Sequence, residues 1–317
     1  MAKAISELHV PVMLERTLEL LGESLKAPGA VLVDCTLGLG GHSEAFLKTF
    51  PDLHLVAIDR DPKAIELAQE RLEQFAQRID FVNTTYDNID EAIESLGIDK
   101  VDAILLDLGV SSMQLDERER GFAFSYEAPL DMRMNATDSK TAADVVNGYS
   151  EEELARIFFE FGEERYSKAI AKEIVAVRPL ATSTELAALI AKIVPFIPGK
   201  SHGHPAKRVF QALRIEVNAE LEVLARTMPR AIDSLKVGGR ILVLSYHSLE
   251  DRIVKRALVA AANSSAPIEL PIELPEHAPT LRLVVKGAEM ASEEEISLNP
   301  RSASVRLRAA EKIRQAA

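Results

Sequence analysis

Val31-Leu-Val-Asp-Cys-Thr-Leu-Gly-Leu-Gly-Gly-His42 is the stretch that decides the fold of this chain. Its three apolar residues read as a short buried strand. The glycines that follow read as a tight turn into a helix, at a point where a Cβ would hold the backbone away from a ligand. Further short apolar runs at 53–58, 79–82, 101–106 and 240–244 end in turn or acidic residues. A helical stretch at 43–50 separates the first two runs. Another at 62–75, where Ile65, Ala68 and Leu72 recur at helical spacing, separates the second and third. Strand and helix alternate, which predicts an α/β chain with a doubly wound, mostly parallel sheet.

The fourth run ends at Asp107 and the fifth opens at Arg240, a gap of about 130 residues where a strand-helix-strand crossover needs about 30. An inserted small helical domain is therefore expected. Ser150 with Glu153, and Thr182 with Glu185, have capping-box spacing, and Pro179 and Pro195 close the runs they open. One long periodic segment from Pro205 to about Met228 is expected to return to the sheet as the helix before the fifth strand. On this reading 1–112 and 207–317 form the sheet domain and 113–206 the insert. Segments 281–285 and 304–307 are expected to pair at the sheet edge.

Apolar runs in the 317-residue chain fall far short of the ~20 residues of a membrane span, and the N-terminal stretch is charged throughout. No membrane association is expected. The one cysteine, Cys35, has no disulfide or zinc partner, which suits a reducing compartment and makes the cytoplasm the expected location. A formal charge of −12 excludes a protein that coats nucleic acid by bulk attraction, so any such binding must come from local patches. Lys200, Lys207, Arg208 and Arg214 form one candidate patch. The tail from Asn299, with five Lys or Arg against one Glu, forms another. Solvated surface is the bland reading of both.

A glycine turn alone is weak evidence for a ligand. Asp59 strengthens it, because it ends the second run 21 residues after Gly38, where an acidic side chain can accept from both ribose hydroxyls of an adenosine cofactor. Asp34 then discriminates among cofactors. A carboxylate in the turn would repel a pyrophosphate but suits the cationic methionine end of S-adenosylmethionine, and Ser43 stands where a dinucleotide turn wants its third glycine. Tyr86, after the third run, is either an adenine-stacking ring or a half-buried surface residue. Asp107, at the end of the fourth, either points at the transfer site or caps the next turn.

From here the sequence closely resembles the RsmH (MraW) family of S-adenosylmethionine-dependent methyltransferases. The resemblance runs through His9-Val-Pro-Val-Met-Leu-Glu15, 34–43, Ala57-Ile-Asp-Arg-Asp-Pro62, 105–116 and Arg120-Gly-Phe122. It continues in Pro129-Leu-Asp-Met-Arg-Met134, Gly162-Glu-Glu-Arg165, 204–218, Gly238-Gly-Arg240 and Ser245-Tyr-His-Ser-Leu-Glu-Asp-Arg252. It implies a Rossmann-like class I methyltransferase fold and methylation of the exocyclic N4 of a cytidine in the decoding region of 16S ribosomal RNA. It also implies S-adenosylmethionine as cofactor, with Gly40, Gly41, His42, Asp59, Tyr86, Asp107 and Gln114 as cofactor-contacting positions, and the insert as substrate-recognition domain. The implied partner is 16S rRNA within the small ribosomal subunit. Monomer and homodimer both stay open. The chain has Tyr86 where family members commonly have Phe, and Ala303 where they commonly have Arg.

Cytosine N4 is a poor nucleophile because its lone pair is delocalised, so transfer gains from alignment and from an acceptor for its N–H bonds. Asp107 is the expected catalytic residue, acting on the amine or gripping the methionine end of the cofactor. For RNA contacts the reading expects Lys207, Arg208, Arg214 and Asn218, with Lys207, Gln211, Arg214 and Asn218 as one polar stripe opposite Phe210, Leu213 and Val217. Arg133, His204 and His247 complete the expected substrate residues, with a structural role for His247 equally open. His202 and His204 lack further ligands at metal spacing, so no metal is expected. Two rivals remain: a nicotinamide-dependent oxidoreductase, which Asp34 disfavours, and a ribosome-assembly factor that turns over no donor.

Overall fold

A computed structural model describes residues 11–195, 204–267 and 274–315. His9 and Val10 of the first motif, and Ser201, His202 and Gly203, lie outside the described residues, as does Lys200 of the first basic patch. The chain divides into two compact units, Met1–Gly109 with Leu221–Ala317, and Val110–Glu220.

The first unit opens with α1 (Leu14–Gly22), β1 (Val31–Asp34) and α2 (Gly41–Thr49). These lead into β2 (His54–Asp59), α3 (Pro62–Arg71), β3 (Ile79–Asn83), α4 (Ile89–Ser95) and β4 (Val101–Asp107). The second unit holds α5 (Ser112–Asp116), α6 (Ala142–Gly148), α7 (Glu151–Glu160), α8 (Ser167–Val177), α9 (Ser183–Ile193) and α10 (Lys207–Asn218). The chain returns through α11 (Glu220–Ser234) to β5 (Leu235–Ser245), α12 (Ser248–Ala261) and β6 (Leu281–Leu283). It ends in α13 (Glu293–Leu298) and β7 (Arg306–Lys312).

The strands form one sheet in the order β3-β2-β1-β4-β5-β7-β6. The first five run parallel, and β7 lies antiparallel between β5 and β6. The expected strand pair is there with other bounds: β6, the edge, stops at Leu283 and pairs with Ala310, Glu311 and Lys312 of β7, past the expected 304–307, and β7 lies one place inside the edge. Strand alternation sends successive residues to opposite faces. Leu32, Leu55, Leu105 and Leu242 join a core with Leu21, Phe46 and Ala68 of α1, α2 and α3. Their neighbours Val33, Val56, Leu106 and Val243 join a second core with Ile93, Met228 and Leu258 of α4, α11 and α12. Both faces are covered, which is why the strands read as largely apolar runs. No helix among the described residues is long and apolar enough to cross a membrane.

Ser150 and Thr182 form the expected capping boxes with Glu153 and Glu185 at the starts of α7 and α9. The segment read as one helix from Pro205 to Met228 is two. Ala219 adopts a left-handed conformation, φ 51°, and ends α10. Val209, Phe210, Leu213 and Val217 of α10 belong to the apolar core of the second unit, whereas Leu224 and Met228 of α11 pack on the sheet. The boundary expected between 206 and 207 thus lies between Glu220 and Leu221, and at the other end Val110 already belongs to the second unit.

Candidate active site

Parallel strands deliver their last residues to one edge, and the crevice outside that edge is where such sheets take ligands. In the first unit this edge is built around the turn from β1 to α2. The Leu37 N–H donates to the Ile58 carbonyl and the Cys35 N–H to the Leu105 carbonyl, tying the turn to β2 and β4. Gly40 caps α2 at φ 72°, where a Cβ would also come within 3.1 Å of Leu72. Asp34 is 2% exposed. Its Oδ2 accepts from Ser43 Oγ at 2.6 Å and its Oδ1 from the Thr36 N–H at 3.1 Å. That makes it a brace of the turn, with burial raising its pKa.

Asp59 closes the turn from the other side, accepting from the Gly38 N–H at 2.8 Å and the Asp61 N–H at 2.9 Å. Burial pushes its pKa up to about 6 against these two donors. Each carboxylate oxygen keeps a second lone pair, enough for the two ribose hydroxyls expected there. Tyr86 lies half-buried in a single 3-10 turn after β3 and packs against the second core. The turn is pinned from α11, where Arg226 Nε donates to Asp87 Oδ2 at 2.9 Å and Arg230 Nη1 to the Asp87 carbonyl at 2.7 Å.

Asp107, at the end of β4, meets three groups. Its N–H donates to Thr36 Oγ1 at 2.7 Å, its Oδ1 accepts from the Tyr246 hydroxyl at 2.7 Å, and its Oδ2 lies 3.7 Å from His42 Nδ1. Burial raises its pKa to about 7, the Tyr246 hydrogen bond opposes that rise, and Glu250 adds to it. His42 is 6% exposed, and burial lowers its pKa, so the ring is neutral at neutral pH. Its Nε2 lies 3.0 Å from the Val12 carbonyl, which can only accept, so the proton is assigned to Nε2 and Nδ1 is left as an acceptor beside Asp107. Tyr246 was not singled out from the sequence.

His247 serves as the N-cap of α12: its ring accepts from the Glu250 N–H, and Glu250 in turn accepts from the His247 N–H at 3.1 Å. Of its two expected roles, the structural one has a partner.

The remaining expected residues lie in the second unit. Gln114 closes a capping box with Ser111 at the start of α5. Arg133 is spent on its own loop, donating to both Asp131 oxygens and to the carbonyls of Ala136 and Asp138. The polar stripe on α10 is corrected, because three of its four members turn into the unit. Gln211 donates to the Phe161 carbonyl, and Arg214 pairs with Glu220 through both ends of its guanidinium. Asn218, 2% exposed, accepts from the Met134 N–H and donates to the carbonyls of Met132 and Arg214. The reason is that α10 runs through the centre of the helical core, so even its polar face meets backbone. Lys207 and Arg208 are exposed, with Arg208 also donating to the Glu163 carbonyl at 3.0 Å, and His204 is exposed and stacked on Phe124.

A seven-stranded sheet with its antiparallel strand at the sixth place, and carboxylates at the ends of β1, β2 and β4, defines a Rossmann-like class I methyltransferase fold with a helical insert. The sequence matches the MraW methylase family over residues 6–313. A ribosomal RNA small subunit methyltransferase H of Clavibacter michiganensis is 56% identical over 315 residues, covering 98% of this chain and 99% of the relative. One of Thermobifida fusca is 56% identical over 310 residues, covering 97% and 94%. An rRNA methylase structure from Streptococcus thermophilus is 12% identical at a TM-score of 0.44, covering 96% of this chain and 99% of that one. The chain belongs to the MraW methylase family; it is a methyltransferase, and S-adenosylmethionine is its methyl donor.

The edge fits that donor. Asp34 is a buried carboxyl and Asp107 a partly buried one, neither has a Lys or Arg partner among the described residues, and desolvation raises the pKa of both. A site with this electrostatic deficit favours a cation, and the donor carries a sulfonium and an ammonium. Ser245 Oγ, at the end of β5, is buried with no hydrogen-bond partner among the described residues, a further polar group at the same edge.

Proposed function

We propose that this chain transfers a methyl group from S-adenosylmethionine to the exocyclic N4 of a cytidine in the decoding region of 16S ribosomal RNA, acting in the cytoplasm on the small ribosomal subunit. The observation that carries the site assignment is Asp107 at the β4 terminus, partly buried, fixed by Tyr246 at 2.7 Å and with its pKa raised to about 7. The ribosomal substrate rests on the relatives, which are named for it over nearly their whole length.

When bound, the donor supplies an electrophilic methyl on a positively charged sulfur. The work of the chain is then to position and to polarise. Asp59 would take the ribose hydroxyls, Tyr86 would lie against the adenine, and Gly40, Gly41 and His42 would line the turn side of the donor. Asp107 Oδ2 accepts an N–H of the target amine, which returns electron density to N4 as it attacks in line with the sulfur–methyl bond. The methylated nitrogen would then release its extra proton. With a pKa of about 7, Asp107 is poised to accept that proton and pass it on.

In this reading the second unit is the substrate-recognition domain. Lys207, Arg208 and His204 are its RNA-facing residues, whereas Arg133, Arg214 and Asn218 support the unit from within. The test is transfer of labelled methyl to free 16S RNA and to 30S subunits, with mapping of the labelled nucleotide. Label on N4 of one cytidine supports the reading, and label on a different base or atom rejects it.

A further inference from the structure

The geometry points to Tyr246 as a positioning residue for methyl transfer: its hydroxyl pins Asp107 Oδ1 and leaves Oδ2 as the oxygen turned to the reacting groups. This rests on the proposed role of Asp107.

Tyr246 is the first residue past β5, and β5 neighbours β4 with Leu244 beside Asp107. The two chains are still paired one step beyond, where the Leu108 N–H donates to the Leu244 carbonyl at 3.0 Å. Gly109 then turns the β4 chain aside at φ 105°, a conformation that disfavours any side chain, and a Cβ there would come to 3.6 Å from the Tyr246 ring. The backbone of Tyr246 is anchored independently of the ring. Its N–H donates at 2.7 Å to Glu250 Oε2, which also holds the His247 N–H in the α12 cap. The phenol is thus fixed at its root by a helix terminus and at its tip by Asp107, and a phenol has one proton to donate. Burial, together with Asp107, pushes the hydroxyl well above its usual pKa, so it remains a donor at every working pH.

A donor to a carboxylate favours the ionised form. Around this pair stand His42 of α2, Asp34 of β1 and Glu250 of α12, with Glu295 of α13 also acting on Tyr246. Glu250 and desolvation disfavour charge on Asp107, and the Tyr246 hydroxyl opposes them. Removing the hydroxyl should therefore free the carboxyl to rotate and keep it protonated to higher pH.

Full-length Tyr246→Phe, Tyr246→Leu and Asp107→Asn would be assayed on 30S subunits with S-adenosylmethionine from pH 5.5 to 9, with melting curves alongside. For Tyr246→Phe the expected result is a kcat lowered roughly 10- to 100-fold at pH 7 with a donor KM changed less than about threefold. The acid limb of its kcat profile should move upward by roughly one pH unit. Tyr246→Leu, which also removes the ring, should move that limb as far. A fall in kcat with an unmoved limb in both variants would mean packing alone and would overturn the proposal. So would wild-type kinetics for Tyr246→Phe beside an impaired Asp107→Asn. Wild-type rates for Asp107→Asn would instead reject the role of Asp107, a distinct outcome.

Discussion

Removing the Asp59 carboxylate tests the donor site from its best-defined corner. In the structure Asp59 accepts from Gly38 at 2.8 Å and Asp61 at 2.9 Å, and each oxygen retains a lone pair for a ribose hydroxyl. A hydrogen bond to a charged group contributes about 1.5–3 kcal/mol, and the two ribose bonds share one carboxylate, so their loss does not add in full. Asp59→Ala should therefore weaken binding by about 3 kcal/mol, or roughly 100-fold in Kd. Asp59→Asn keeps the shape but has one acceptor oxygen, so either orientation turns an NH2 toward Gly38 or Asp61; its loss should be roughly 10-fold or more. The assay is calorimetry with S-adenosylmethionine at pH 8, above the Asp59 pKa of about 6. Because the charged form is the better acceptor, wild-type affinity should itself fall as pH drops through 6, and the Ala variant should lack that dependence. An unchanged Kd for Asp59→Ala at pH 8 would refute the reasoning and detach Asp59 from the donor.

Three other outcomes are expected. Asp107 has a pKa raised to about 7, so the folded chain binds that proton more tightly than the unfolded one; its stabilising effect is full below about pH 4 and is lost as pH rises through 7. Ligand-free Asp107→Asn should accordingly be more stable than wild type at pH 8, by as much as about 4 kcal/mol, and lose that advantage by pH 4 in urea titrations. Asn218→Ala strands the Met134 N–H and the Met132 carbonyl in a buried site, so unfolding experiments should show a loss of about 2–4 kcal/mol. Replacing Lys207 and Arg208 together with Ala should raise the KM for 30S subunits roughly 3- to 10-fold and flatten its salt dependence, with donor affinity unmoved.

The sheet was legible because its strands are buried on both faces, which writes them as apolar runs such as Val31–Asp34 closed by a carboxylate. Asp34, Asp59 and Asp107 were legible for the same reason, since each ends such a run. The break at Ala219 was not, because a left-handed alanine carries none of the Gly, Asn or Pro signals that mark a helix end. The α10 stripe misled because the partners of Gln211 and Asn218 are backbone groups at Phe161, Met132 and Met134, and polar spacing cannot tell a solvated face from one that meets buried carbonyls. Arg133, expected on resemblance alone, finds its partners in its own loop. Tyr246 was missed because its hydroxyl partner is 139 residues away, and only the adjacency of β4 and β5 at the edge brings the two together.

The central claim is that this edge delivers a methyl group to one ribosomal cytidine through Asp107. Its most direct test incubates 30S subunits that lack the modification with labelled S-adenosylmethionine and either wild-type chain or Asp107→Asn, then maps and counts the labelled nucleotides. The account expects N4 label on a single decoding-region cytidine, formed 10²- to 10⁴-fold more slowly by the variant, the range for a polar group acting on the transferring centre. Label at another atom, or equal rates for the two proteins, would contradict it.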